Sequence, residues 1–262
     1  MNARTNRAAR RLLVSLCAVL CGAWMVPVSA EDVVPKHLQV ARDIVKSVKP
    51  ENNVYSNART QVRFPGDLFT SEYSVHTNCI GLVDASFEKA TGKSLNWGTR
   101  KYRNQYSIID WVDGVERGEN FDKVAKIPDL QPGDMIMWKY LIYPAYNPEQ
   151  VNGHILMVDS KPVKVEPQRK PIMEGMTQWE IWIIDSGMTP MSADDTRFVK
   201  VDKVPEGMKW EQTQRNGAGR GRFYIYSNEK GEIVGTAAAF QKAKVQVNGV
   251  DRHIIMARVR PN

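Results

Sequence analysis

Cysteine is scarce in this sequence, with three copies in 262 residues. Cys17 and Cys21 lie in an apolar stretch near the N-terminus, so Cys79 is the one cysteine in the remainder of the chain. A single cysteine excludes an internal disulfide there. It also excludes a zinc site built from several thiolates, and a pairing of Cys79 with His76 lacks a second set of ligands. We therefore expect no metal.

Internal repeats, low-complexity tracts and a second long apolar run are also absent. The segment 31–262 therefore has no predicted membrane-spanning helix, and its length fits one domain. Its mild positive charge suits contact with an anionic envelope surface and does not indicate a nucleic-acid partner.

The first thirty residues are typical of a Sec-type signal peptide. Four arginines and no acid precede an apolar run from Leu12 to Val28, and small residues follow at Ser29 and Ala30. Leucine precedes both cysteines of this run, where lipoprotein processing needs a small residue, so we expect no lipid anchor. Cleavage after Ala30 would leave 31–262 as an exported chain, periplasmic or secreted. It would reduce the formal charge from +7 to +3, because four arginines leave with the peptide. An uncleaved anchor is the alternative.

Cys79 has the sequence context of a nucleophile. Apolar residues follow it at helical spacing, Thr77 or Asn78 can cap the helix, and Gly92 suits a left-handed stop. Cys79 would lie in the first turn, where unpaired N–H groups and the helix dipole stabilise a thiolate. The alternative is a packed core thiol, because free cysteine is among the most buried residue types.

A nucleophilic thiol needs a base and a group that orients the base. His154 opens the apolar run "HILMVDS", and Asp185 ends the run "WEIWIID". A symmetric antiparallel hairpin around the loop 161–178 would place His154 directly opposite Asp185 on one face of a sheet. A slip of one residue would put the two side chains on opposite faces.

Predicted helices precede Leu130 and predicted strands follow it. The segment "PKHLQVARDIVKSVKP" has the spacing of an amphipathic helix, and seven short apolar or alternating segments after Leu130 are typical of strands. This order predicts an α+β fold with an antiparallel sheet.

Three segments in order resemble the NlpC-type branch of the papain-like cysteine peptidases and amidases: "TNCIGLVDASFEKATG", "IPDLQPGDMIMW" and "NGHILMVDS". Cys79 matches the nucleophile of that family, Gly81 its helix glycine and His154 its base. Asp185 matches the third polar residue in position but not in type. The resemblance covers about residues 73–187.

The resemblance implies a papain-like α+β fold in which N-terminal helices, one bearing the nucleophile, pack on an antiparallel sheet. It implies one catalytic domain over 31–262, with a C-terminal β-hairpin extension. The implied activity is exported hydrolysis of amide bonds without a cofactor, most often in peptidoglycan stem peptides.

Three further residues are candidates for substrate contacts: His76, Asn78 and Arg220. The first two precede the nucleophile. Arg220 lies in "RNGAGRGRF", a glycine-rich segment with three arginines that could form a mobile loop and pair with substrate carboxylates. The alternatives are an ordinary loop residue for His76 and a solvated hairpin loop around Arg220.

The sequence thus predicts a hydrolase that works through an acyl-enzyme on Cys79, with His154 as the base and Asp185 as the group that orients it. One alternative is other acyl chemistry on the same trio, as in an acyltransferase or thioesterase. The other is a non-catalytic envelope-binding module with a degenerate site.

Overall fold

The computed structural model describes residues 34–57, 61–67, 70–95, 108–141, 153–200 and 212–260. The expected signal peptide lies outside the described residues. None of the helices in these ranges is long and apolar enough to cross a membrane.

The described helices are α1 (Lys36–Ser47), α2 (Cys79–Thr91) and α3 (Ile108–Glu116), with short 3-10 turns at Pro50–Asn52 and Ile127–Asp129. The strands are β1 (Asn53–Tyr55), β2 (Gln61–Arg63), β3 (Ser74–Thr77), β4 (Phe121–Lys123), β5 (Met135–Tyr140), β6 (Gly153–Val158), β7 (Val163–Lys164), β8 (Thr177–Gly187), β9 (Phe198–Lys200), β10 (Gln212–Gln214), β11 (Gly217–Ser227), β12 (Ile233–Ala238), β13 (Gln246–Val247) and β14 (Arg252–Val259).

One large antiparallel sheet dominates the described part of the chain. Its strands follow the order β13-β12-β11-β8-β6-β5-β14-β4, and β7 pairs with β8. The long strands β8 and β11 pair along their whole length at its centre. A three-stranded group in the order β1-β3-β2 and the pair β9–β10 are separate from it.

The prediction of an α+β, papain-like fold is wrong, because the described chain is mostly β. Local periodicity could not show that β14, at the C-terminal end, returns to lie between β5 and β4. The strands expected as a C-terminal hairpin extension therefore belong to the same sheet as β5 and β6. Short strands also occupy part of the N-terminal region, where the sequence pattern favoured helices.

Both faces of the sheet carry apolar cores. One core includes residues of all three helices and the side chains of Met135, Met137 and Ile155. The intervening residues of the same strands, such as Ile136 and Leu156, belong to a second core on the opposite face. Strands buried on both faces give continuous apolar runs in the sequence, which explains "DMIMW" and "HILMV".

Helix α2 begins and ends where the sequence predicts. The Asn78 side chain accepts a hydrogen bond from the N–H of Gly81 at 3.0 Å, which caps the helix N-terminus. Gly92 follows the last helical residue with φ of 74°, a left-handed conformation that costs glycine little.

A buried carboxylate ties helix α1 to the sheet. Asp159, whose side chain is 1% exposed, pairs with Arg42 of α1 and with Arg220 of β11. The Arg220 guanidinium also stacks 4.0 Å from the ring centroid of Trp182. The two arginines are about one-third exposed, so the desolvation cost falls mainly on Asp159.

We predict that Asp159→Ala lowers the free energy of unfolding by about 2–3 kcal/mol, because it removes the shared partner of two arginines. Urea denaturation monitored by circular dichroism measures the loss. The control is Glu119→Ala, which breaks the exposed pair with Arg117 and should barely change the midpoint. Equal small changes in both variants would contradict a stabilising role for Asp159.

Candidate active site

Cys79 is the first residue of α2, and its side chain is completely buried. The start of the helix is fixed to the end of β8, because the Ser186 hydroxyl donates a hydrogen bond to the carbonyl oxygen of Thr77 at 2.8 Å. The first N–H groups of a helix have no partner within the helix. This end of α2 can therefore stabilise a negative charge on the sulfur or on a nearby oxygen.

His154, near the start of β6, contacts both of its predicted partners. Its Nε2 lies 2.8 Å from Oδ2 of Asp185. The Cys79 sulfur lies close enough to the imidazole for its negative charge to raise the pKa of His154. The side chains of His154 and Asp185 are 12% and 0% exposed. The structure thus brings together the three residues of the predicted trio.

The predicted register between β6 and β8 is wrong by two residues. Met157 pairs with Ile184 and Val158 with Ile183, a register that sets His154 opposite Gly187 and leaves Asp185 on the diagonal. Because side chains alternate between faces with a period of two, this shift keeps His154 and Asp185 on the same face. The side chains then meet diagonally, which histidine is long enough to do.

The charges around His154 favour its protonated form. Burial opposes a charge on the ring, but the negative charge of Cys79 and the hydrogen bond that the ring donates to Asp185 raise the pKa of His154 to about 10. Burial also disfavours ionised Asp185, yet the Arg197 guanidinium and His154 hold the pKa of that carboxyl below its usual range. The surroundings of His154 therefore favour the imidazolium, which is the form that a thiolate–imidazolium pair requires.

Two charged residues that the sequence analysis missed complete the buried network. Arg197, with a side chain that is 0% exposed, lies 2.9 Å from Oδ1 of Asp185 and forms a bidentate pair with Asp195. Both residues lie in the segment "DDTRF", about ten residues after Asp185, and its one notable feature in the sequence is that acidic and basic residues stand together. Nothing in its local pattern indicated burial.

A cavity of about 370 Å³ opens on His154. Tyr55, Trp138 and Tyr140 contribute aromatic rings to its wall, and the ring centroid of Trp138 lies 5.3 Å from that of His154. Cys79 is not among the residues that line this cavity. A volume of this size suits a small ligand or a short peptide segment.

Tyr55 is the cavity residue that interacts with the thiol. Burial and the negative charge of Cys79 raise the pKa of Tyr55 to about 12. The phenol therefore stays protonated through the neutral range and remains a hydrogen-bond donor.

The structure separates the three predicted substrate-contact residues from the cavity. His76 is exposed on β3, and the side chain of Asn78 serves as the helix cap. The expected mobile loop around Arg220 is wrong, because its segment is the regular strand β11, and the guanidinium pairs with Asp159 beside Trp182. Trp182 and Asp185 are three residues apart on β8, so Trp182 lies on the opposite face of the sheet from His154 and Asp185.

Comparison with known proteins identifies a similar viral protein. The uncharacterized protein R653 of Acanthamoeba polyphaga mimivirus is 26% identical over 205 residues, which span 74% of this chain and 82% of the viral protein. No family model matches the chain, and no solved structure matches it.

We predict that Asp185→Asn lowers the pKa of His154 by about 1–2 units, because it removes the negative charge beside the ring. Because the pKa of His154 is raised, the wild-type imidazolium persists above pH 6.5. In the variant, His154 should lose its proton at a lower pH than in the wild type. Nuclear magnetic resonance titration of the ring nitrogens measures this, and the chain has four histidines to assign. Asp113→Asn, which alters a partly exposed pair with Lys139, is the charge-matched control. Identical titrations in wild type and Asp185→Asn would show that Asp185 does not stabilise the imidazolium.

Proposed function

We propose that this protein is an exported cysteine hydrolase that cleaves amide bonds through an acyl-enzyme. The observation that carries the proposal is the buried chain of contacts from Cys79 through His154 to Asp185. It supplies a nucleophile at a helix start, a base and a group that orients the base. A packed core thiol has no need of an imidazole that is itself held by a buried carboxylate.

In the proposed reaction, His154 holds the proton of Cys79 and the thiolate attacks the carbonyl carbon of the substrate. The carbonyl oxygen becomes an oxyanion, for which the N–H groups at the start of α2 and the Tyr55 hydroxyl are the available donors. When the C–N bond breaks, the imidazolium gives its proton to the leaving amine. Water, deprotonated by His154, then attacks the thioester, releasing the acid and the free thiol. None of these steps needs a cofactor.

Peptidoglycan stem peptides are the substrates that we propose to assay first. Support comes from the resemblance of three sequence motifs to NlpC-type enzymes and from the signal-like N-terminus, which together favour a bacterial envelope location. The motifs support this assignment independently of the overall fold. Because the same trio also serves acyl transfer, hydrolysis in ¹⁸O-labelled water distinguishes the two: hydrolysis places the label in the product carboxylate, whereas transfer leaves it unlabelled.

We predict that Cys79→Ala abolishes amide cleavage, with a loss of at least about 10³-fold, because no other group supplies the nucleophile. Release of new amino groups from purified muropeptides measures turnover. Lys89→Ala, an exposed change on the same helix, is the control and should retain activity. The Cys79→Ala variant should also unfold cooperatively on heating, since the change removes only one sulfur atom.

A measurement without substrate tests the nucleophile separately. Iodoacetamide should alkylate wild-type Cys79 at pH 6 faster than it alkylates Cys79 in the equally buried site of the His154→Gln variant, because only the wild type has a base to take the thiol proton. Cleavage by Cys79→Ala at the wild-type rate would refute the mechanism. An inert thiol together with an unfolded Cys79→Ala variant would instead identify a packed core residue.

A further inference from the structure

The cavity beside His154 has an electropositive wall. Besides His154, its charged lining residues are Lys244 and Arg252, and none of the described residues that line it is acidic. Aromatic, methionine, small and uncharged polar residues form the rest of the wall. A site with cations and no carboxylate favours a ligand that brings its own negative charge.

Arg252 is placed close to the reacting groups by the register of the sheet. It opens β14, directly opposite Tyr140 of β5, and the next residue on its face, Ile254, is opposite Trp138. Trp138 is in turn opposite His154. Arg252, Trp138 and His154 therefore follow one another across a single face of the sheet.

The guanidinium and the imidazole both lie close to the indole of Trp138. The Cζ atom of Arg252 lies 4.4 Å from the ring centroid of Trp138 and 5.4 Å from that of Tyr140. The two rings hold the planar guanidinium in position without neutralising it, since a cation–π contact supplies no counter-charge.

No described carboxylate forms an ion pair with Arg252. Its Nε is buried and has no hydrogen-bond partner within the described residues. Asp251, next to it in sequence, accepts a hydrogen bond from the N–H of Val247 and lies 3.9 Å from Lys244. Burial lowers the pKa of Arg252, and the negative charges of Tyr140 and Asp251 oppose that shift without forming an ion pair with the guanidinium. Arg252 is partly buried, and its guanidinium is available to an anion that enters the cavity.

We propose that Arg252 binds a carboxylate of the substrate and that the enzyme selects acyl compounds with a negative charge beyond the scissile bond. The carboxylate would replace the missing counter-charge through a bidentate pair, which guanidinium geometry favours. Lys244 adds to the positive field from the exposed rim. Since an extended chain spans about 3.5 Å per residue, a carboxylate two or three residues from the reacting carbonyl would be far enough from it to reach Arg252 beside the Trp138 indole. This assignment rests on the proposed function, because it takes Cys79 as the nucleophile.

Two thiol reagents with the same electrophile test the proposal. The first reagent, iodoacetyl-Gly-Gly, carries a free C-terminal carboxylate. The second is the same compound with a C-terminal amide in place of the carboxylate, and it is neutral. The second-order rate constants for alkylation of Cys79 give a carboxylate-to-amide ratio, which is normalised to the ratio for N-acetylcysteine. We expect a normalised ratio of about 10 or more for wild type, with a decline at high salt.

Arg252→Gln should reduce this ratio about tenfold while leaving the rate with the neutral reagent unchanged. Arg252→Met, which keeps an apolar stem over the indole, should behave in the same way and serves if the first variant folds poorly. The charge-matched control Lys89→Gln should retain the wild-type ratio.

The outcomes separate this proposal from the proposed function. A wild-type ratio near 1, or an unchanged ratio in both Arg252 variants, overturns the carboxylate site while leaving an activated thiol in place. Alkylation of wild type by either reagent no faster than alkylation of His154→Gln rejects the nucleophile, and the substrate assignment with it. A reduced rate with the neutral reagent in both variants would show that Arg252 supports the thiol, which also overturns the proposal.

Discussion

A charged Asp185 in the protein interior is the constraint on which the rest of the site depends. The carboxylate has no exposure to solvent, and an isolated buried charge costs several kcal/mol. Arg197 supplies the opposite charge, Asp195 balances Arg197, and His154 takes the other oxygen of Asp185. Each member is stable only because its neighbours are present. The imidazolium that the proposed chemistry needs is thus the exposed end of a buried chain of alternating charges.

The same constraint explains the glycines of β11. A Cβ atom at Gly219 would lie 2.4 Å from Nε of Arg197, and one at Gly221 would lie 2.5 Å from Oδ2 of Asp195. The sheet therefore leaves out two side chains so that the buried pair can lie against its backbone. Glycine in the middle of a strand often marks such a close approach. In the sequence, the segment "GAGRG" had the composition of a flexible loop, because composition does not distinguish flexibility from a packing requirement.

What could be predicted from the sequence was local. The cap and stop of α2 follow from residue type. The contact of His154 with Asp185 was predictable because side chains alternate between the two faces of a strand, so a register error of two residues still left both side chains on the same face. The overall fold was not predictable in this way, because its sheet is completed by β14 pairing with β5 across more than a hundred residues. Arg197 was missed for a related reason. A buried arginine and an exposed one look alike until the fold places a carboxylate beside one of them.

The distances between the charges decide whether an anionic substrate can approach a thiolate. Two unit charges about 4 Å apart interact by about 4 kcal/mol at an effective dielectric constant near 20, and by less than half of that at about 10 Å. A carboxylate paired with Arg252 would feel the near cation strongly, and a thiolate two or three residues away along the substrate more weakly. The imidazolium would further offset the charge of the sulfur. Under the proposed assignment attraction would therefore exceed repulsion, which would make an anionic substrate compatible with an anionic nucleophile.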